Sequence, residues 1–342
     1  MVASPFTALG AALPVLAAPM AGGPTTPRLV TAAAKAGGLG FLAAGYKTAD
    51  ALAAEIDQVR RDGVPFGVNL FAPNPVPVSP EAFRRYAQAV NDEARVYGID
   101  VRDAPIVEDD DRWRDKVDLL LADPVPVVSF TFGLPGAAVA GALRDAGSLL
   151  VQTVTSAAEA RQAADAGAGA LTVQASAAGA HSGTLTPEVI PPPVPLPDLL
   201  AQVRQAVSLP LIAAGGVATQ AAVTEALRAG AAAVMVGTVL LRADEAGTSA
   251  PHRAALADPA RRQTVVTRAF TGRPARGLRN AFTDRYSELA PSGYPALHHL
   301  TSPVRKAAAG DPERMHLWAG TGFRQATARP TATILQGLGS RV

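Results

Sequence analysis

Short apolar runs alternate with longer alanine-rich stretches along most of the chain. The apolar runs are Val15–Ala18, Leu39–Leu42, Phe66–Leu70, Val125–Phe130, Leu149–Thr153, Ala170–Gln174, Pro210–Ala214 and Ala233–Val236. Their length and their share of β-branched and aromatic residues predict buried strands. Helix-like segments lie between most of them and stop at glycine. Thr26–Ala36 ends at Gly37, Ala51–Asp62 at Gly63, Gly136–Ala146 at Gly147, Ser156–Ala166 at Gly167 and Thr219–Ala229 at Gly230. Glycine just past the last turn is the usual stop, because it turns left-handed without a Cβ clash. Thr48, Ser156 and Thr219 predict N-caps, and Glu159 three residues after Ser156 predicts a capping box.

Strands separated by helices predict a parallel sheet, since parallel neighbours require crossovers. Eight strands are the number that closes an α/β (β/α)8 TIM barrel, the expected fold; a doubly wound open sheet is the alternative. The barrel is expected over residues 1–71 and 124–243. Residues 72–123 are too many for one crossover. They hold a proline-rich entry, a helix over Pro80–Tyr97, and the acidic run Glu108–Asp111, which reads as a solvated face. Residues 244–342 are more polar and carry Trp318 and most of the histidines. These two segments predict a second, smaller, mainly helical lobe over one barrel face, on the substrate side.

Polar residues gather at the C-terminal ends of the strands, where the active sites of such barrels form. Met20 to Gly23 follow the first strand; Asn69 ends the third, Ser129 and Thr131 the fourth, Gln174 the sixth. Strands seven and eight run into Gly215–Gly216 and Gly237–Thr238. Both turns present main-chain N–H groups where a helix begins, a setting that predicts phosphate binding. From Leu171 to Gly183 the chain reads LTVQASAAGAHSG, a strand opening into a small-residue loop that ends at His181. Small residues let backbone approach a flat ligand closely. A histidine there can move a proton near neutral pH; a surface-loop histidine without a chemical part is the alternative.

Composition narrows the choice. The 342 residues are 48% hydrophobic and 18% charged, enough for a large core and against global disorder. Net charge is +2 with no Lys/Arg run, so no nucleic-acid partner is expected. The absence of cysteine excludes disulfides, thiolate nucleophiles and Cys-based metal sites, and fits a cytoplasmic location. The stretch ALGAALPVLAAPMA imitates a signal peptide, yet no basic residue precedes it and Pro14 and Pro19 interrupt it. No apolar run reaches membrane-spanning length, so no membrane partner is expected. Adjacent His298 and His299 are poorly spaced for chelation, and no metal site is expected.

Several stretches in order resemble the nitronate monooxygenase family, FMN-dependent barrels formerly grouped as 2-nitropropane dioxygenases. They are PMAGG at Pro19–Gly23, FGVNLF at Phe66–Phe71, VQASAAGAHSG at Val173–Gly183, AAGGV…MVGT at Ala213–Thr238 and TRAFTGRPARGLRNAF at Thr267–Phe282. The late LWAGTG at Leu317–Gly322 is also similar. The resemblance implies FMN as cofactor. Asn69 and Gln174 would bond the flavin ring or ribityl chain, and Met20 would touch the ring. Gly179, Gly215, Gly216, Met235, Val236, Gly237 and Thr238 would lie along the ribityl phosphate. His181 matches the catalytic histidine. The expected partners are a small nitronate or nitroalkane, such as propionate 3-nitronate, and O2, giving a carbonyl compound and nitrite. His181 would take the α-proton of a neutral nitroalkane or, protonated, hold a preformed nitronate. An FMN-dependent NAD(P)H:quinone or enoyl-thioester reductase is the alternative reading, and a non-catalytic flavin-binding barrel a third. Homo-oligomerisation is left open. The chain departs from the family where Ala175, Ala177 and Ala180 replace Gly, Glu and Gly, where Thr131 replaces a second histidine, and at His298 and Ser302. These changes bear on substrate choice more than on the flavin.

Overall fold

The computed structural model describes residues 5–340. Eight parallel strands close into a barrel: Val15–Ala17, Leu39–Ala43, Phe66–Ala72, Val127–Phe132, Leu149–Val154, Ala170–Gln174, Leu211–Ala214 and Ala233–Val236. They are the expected eight, with ends moved by a residue or two. The ring closes where Leu16 pairs with both Leu39 and Met235. Both faces of these strands are buried, which explains their continuous rather than alternating hydrophobicity. Inside the barrel Leu16, Phe41, Val127, Val151 and Ile212 pack together, and Phe6 of the Pro5–Ala8 helix joins them. Gly67 faces this interior because a Cβ there would sit 2.4 Å from the Phe41 ring.

The expected helices form. Thr48, Ser156 and Thr219 cap them, each accepting from the amide three residues on. The capping box at Ser156 is only half made. Glu159 does not return to the Ser156 amide; its carboxylate accepts from the Thr155 amide and hydroxyl, from Thr184 Oγ1 at 2.6 Å and from the Leu185 amide at 2.8 Å. Buried at 4% exposure, the carboxylate is satisfied by four donors where the box would supply one. It thereby ties the loop after His181 to the Ala157–Asp165 helix.

The lobe has its own core, with Phe83, Tyr86, Phe270, Phe282, Leu297 and Val304 at its centre. The Pro80–Arg95 and Ala296–Ala307 helices pack against each other there. It also contains an unexpected antiparallel sheet, ordered Thr264–Thr267, Ala275–Leu278, Ala180–His181. A two-residue strand is too short to leave a periodic signature. Two further helices pack on the helices that surround the barrel. Trp113–Ala122 packs on the Ala49–Arg61 and Ala137–Asp145 helices, and Thr331–Gly339 on the Pro27–Lys35 and Gln220–Arg228 helices; both belong to the ring around the barrel. The acidic run is not simply a solvated face. Asp109 meets His299 Nε2 at 2.8 Å. Asp111 accepts from the Tyr46 amide at 2.8 Å and pairs with buried Lys116 at 2.7 Å.

Glu159→Ala would leave the Thr184 and Leu185 donors unmatched beneath the His181 loop. The expected loss is about 3 kcal/mol, since bonds to a buried charge are the strong ones. Urea unfolding monitored by far-UV circular dichroism measures it; a change under half that size would show the clasp to be dispensable.

Candidate active site at the carboxyl rim of the barrel

A cavity of about 710 Å³ opens over the C-terminal strand ends, between barrel and lobe. His181, Met20, Asn69, Gln174, Gly179, Gly215, Gly216 and residues 235–238 all line it. The structure thus brings together every site residue expected from the sequence, and Thr131, His298 and Ser302 with them.

One end is made of main chain. Gly215 and Gly216 take φ of +98° and +81°, the left-handed region that favours glycine. The amides of Gly179, Gly216 and Gly237 make no hydrogen bond among the described residues. Thr238 Oγ1 accepts from the Gly320 amide at 2.9 Å, bringing the LWAGTG stretch against the same turn. Unpaired N–H groups converging on a cavity are an anion-binding surface.

The middle is polar and directional. Asn69 Oδ1 accepts from Ser129 Oγ at 2.9 Å and Thr131 Oγ1 at 3.1 Å, which leaves its amide N–H groups without a partner among the described residues. Gln174 also lines the cavity. Its Nε2 donates to His181 O at 3.2 Å and its Oε1 accepts from the Gly183 amide at 2.7 Å. Its carboxamide therefore spans its own loop and fixes the position of His181.

The lobe end is aromatic. The His181 ring lies 5.6 Å from Phe132, 5.7 Å from Tyr294 and 5.5 Å from Trp318. Its Nε2 is 2.9 Å from Thr271 Oγ1. Thr271 directs its own proton toward Arg273 O at 3.4 Å. Thr271 Oγ1 also lies 3.4 Å from the Arg273 amide, and His181 Nδ1 makes no hydrogen bond among the described residues. Burial first, then the charges of Arg273 and Arg305, push the His181 pKa down to about 3. The imidazole is therefore held neutral at pH 7 until it takes a proton. Arg273, fully buried, donates to Ser182 O and Thr184 O, with its guanidinium 4.0 Å from the Phe132 ring centre. Phe132, Thr271, Arg305 and His316 were not foreseen. Arg305 alone had a usable signal, lying three residues after Ser302 on one helix face.

Ala180 precedes His181 with φ +62°, in the left-handed region that favours glycine. Ala180→Gly relieves that strain and is expected to raise stability by about 1 kcal/mol. A thermal melt that moves down instead would deny the strain. A second expectation concerns pH. His181, His252 and His298 are pushed to about 3, 4 and 2, chiefly by burial, and His316 well below its ordinary value. The unfolded chain binds more protons than the folded one below about pH 6.5, so their contribution is complete above that pH and fades as pH falls toward 4. Urea midpoints at pH 7.5, 6.5 and 5.5 should be level, then fall; midpoints independent of pH would mean that the histidines titrate normally.

Residues 4–338 match the family profile described as "Nitronate monooxygenase". A "Probable nitronate monooxygenase" of Staphylococcus aureus is 35% identical over 331 residues, covering 95% of this chain and 93% of the relative. Among solved structures, nitroalkane oxidase from Streptomyces ansochromogenes superposes with a TM-score of 0.92 at 46% identity, covering 97% of this chain and 96% of that one. FabK from Thermotoga maritima follows at 27% identity and TM-score 0.75, covering 99% and 95%. The chain, an oxidoreductase built on a (β/α)8 barrel, belongs to the nitronate monooxygenase family.

Proposed function

We propose that the protein binds FMN and oxidises alkyl nitronates with O2 to a carbonyl compound and nitrite. One observation carries the reading: a single cavity joins a cradle of unpaired main-chain amides to a neutral, firmly held histidine. The residues fit the cofactor. The Gly179, Gly216 and Gly237 amides are unpaired among the described residues, and all three residues line the cavity. The amides of Gly179, Gly216 and Gly237 would hold the ribityl phosphate, with Gly215 shaping the turn and Val236 and Thr238 beside it. The free amide N–H groups of Asn69 would bond the ring system, against which Met20 and Met235 would lie. FMN would supply the electron acceptor that takes electrons from the nitronate and passes them to O2.

The chain's own residues would do the rest. His181 Nδ1 accepts the α-proton of a neutral nitroalkane, held in place by Thr271 and the Gln174 loop. Phe132, Tyr294 and Trp318 exclude water around the reacting carbon. A preformed nitronate needs no base, so His181 matters less to it. A nicotinamide-dependent flavin reductase is the alternative, and flavin bleaching on anaerobic mixing with NADH or NADPH would favour it.

The test is His181→Asn. We expect the variant to keep its yellow cofactor, to lose about 10²-fold or more with neutral nitroethane, and to lose far less with ethyl nitronate. An oxygen electrode records both rates. Equal losses on the two substrates would sink the general-base role, and a colourless wild-type protein that refuses FMN would sink the cofactor.

A further inference from the structure

Around the lobe end of the cavity the side chains form a ring. His181 touches Tyr294, and Tyr294 lies 6.2 Å from His298. On the other side, His181 touches Trp318, which lies 5.3 Å from His316. Arg305 closes the ring between the two outer histidines, with Nη2 3.3 Å from His298 Nδ1 and Nη1 3.4 Å from His316 Nδ1. It comes from the Ala296–Ala307 helix and lines the cavity.

Its charge has no counterion. No carboxylate lies within 4.0 Å of it among the described residues. In the acidic run, Asp109 pairs with His299 and Asp111 with Lys116. Burial pushes the Arg305 pKa down to about 10, which leaves it fully charged at pH 7. The histidines around it are neutral. Nε donates to Thr301 Oγ1 at 3.0 Å and Nη2 to His298 O at 2.9 Å, which orient the fork. The guanidinium has five N–H donors. One on Nη1 is unspent, and the two ring-nitrogen contacts are long. Arg273, which is fully buried, does not line the cavity and is engaged with two carbonyls. A guanidinium that faces a cavity with no carboxylate beside it is a ready partner for an anion that enters there.

We propose that Arg305 is the substrate-binding group for a planar, two-oxygen anion, the nitronate itself or a carboxylate at the substrate's far end. This rests on the nitronate reading above only for the identity of the substrate. A guanidinium fork matches both anions edge to edge through two N–H groups, which an ammonium cannot do. The neutral histidines contribute hydrogen bonds, not charge. The division of roles follows: His181 handles the proton, and Arg305 holds the negative charge.

The experiment compares wild type with Arg305→Met and Arg305→Lys. Sodium nitrate and sodium propionate are titrated at pH 7.5 and constant ionic strength, followed by Trp318 fluorescence. Oxidation of ethyl nitronate and of propionate 3-nitronate is measured in parallel. We expect Arg305→Met to weaken both anions at least tenfold and Arg305→Lys severalfold. KM should rise at least tenfold for ethyl nitronate if the fork holds the nitronate, and only for propionate 3-nitronate if it holds the carboxylate. Anion affinity and both KM values within twofold of wild type in Arg305→Met would overturn the proposal. If that variant does not fold, unchanged values in Arg305→Lys overturn it equally. Arginine-dependent anion binding in a protein that oxidises no nitronate would instead remove the functional reading and leave this site standing.

Discussion

In a closed ring of parallel strands every carboxyl end emerges on the same side. Asn69, Ser129 and Gln174, together with the Gly215–Gly216 and Gly237–Thr238 turns, are far apart in sequence yet share one rim. Strand direction alone enforces that convergence. The remaining requirement is that something cover the rim, and the lobe meets it with residues drawn from beyond 243. The cavity is thus half barrel and half lobe: main-chain amides and carboxamides on one side, aromatic and basic side chains on the other.

The segment joining the two halves is the Gln174–Gly183 loop. It is held at several points by separate groups. Gln174 bonds its far end, Glu159 accepts from the Thr184 hydroxyl and the Leu185 amide, Arg273 binds the Ser182 and Thr184 carbonyls, and Ala275 pairs with His181 in the small sheet. A short loop held this way has few conformations left, which a residue that must meet a reacting atom requires. Alanine at 180, with its left-handed backbone, survives because these contacts over-determine the geometry.

The barrel was legible because its signals are local. Apolar runs, caps at Thr48 and Thr219, and glycine stops each act over a few residues and agreed with one another. The rim was legible for the same reason, since a polar residue ending an apolar strand marks itself. What escaped was non-local. Whether Glu159 turns back to its own helix or reaches Thr184 depends on a loop 25 residues away. The Ala180–His181 strand exists only because Ala275 and Arg276 pair with it. The Trp113–Ala122 and Thr331–Gly339 helices carry the pattern of any amphipathic helix, and nothing in that pattern says which face of which unit receives them. Arg305 lies in an ordinary helical sequence; its lack of a counterion is a property of everything around it.

The electrostatics of the lobe end follow from that last point. Desolvation and the charges of Arg273 and Arg305 act on His181 in the same direction, both against the imidazolium. A second cation on His181 would be the least favourable way to attract an anion there. Arginine avoids the conflict, because its high intrinsic pKa survives burial while histidine's does not. Removing Arg305 would therefore do two things at once: take away the anion's partner and relax one of the forces keeping His181 neutral. On the proposed reading, proton transfer and anion binding are coupled through space, so any change that makes His181 a better cation must first make the site a poorer host for the anion.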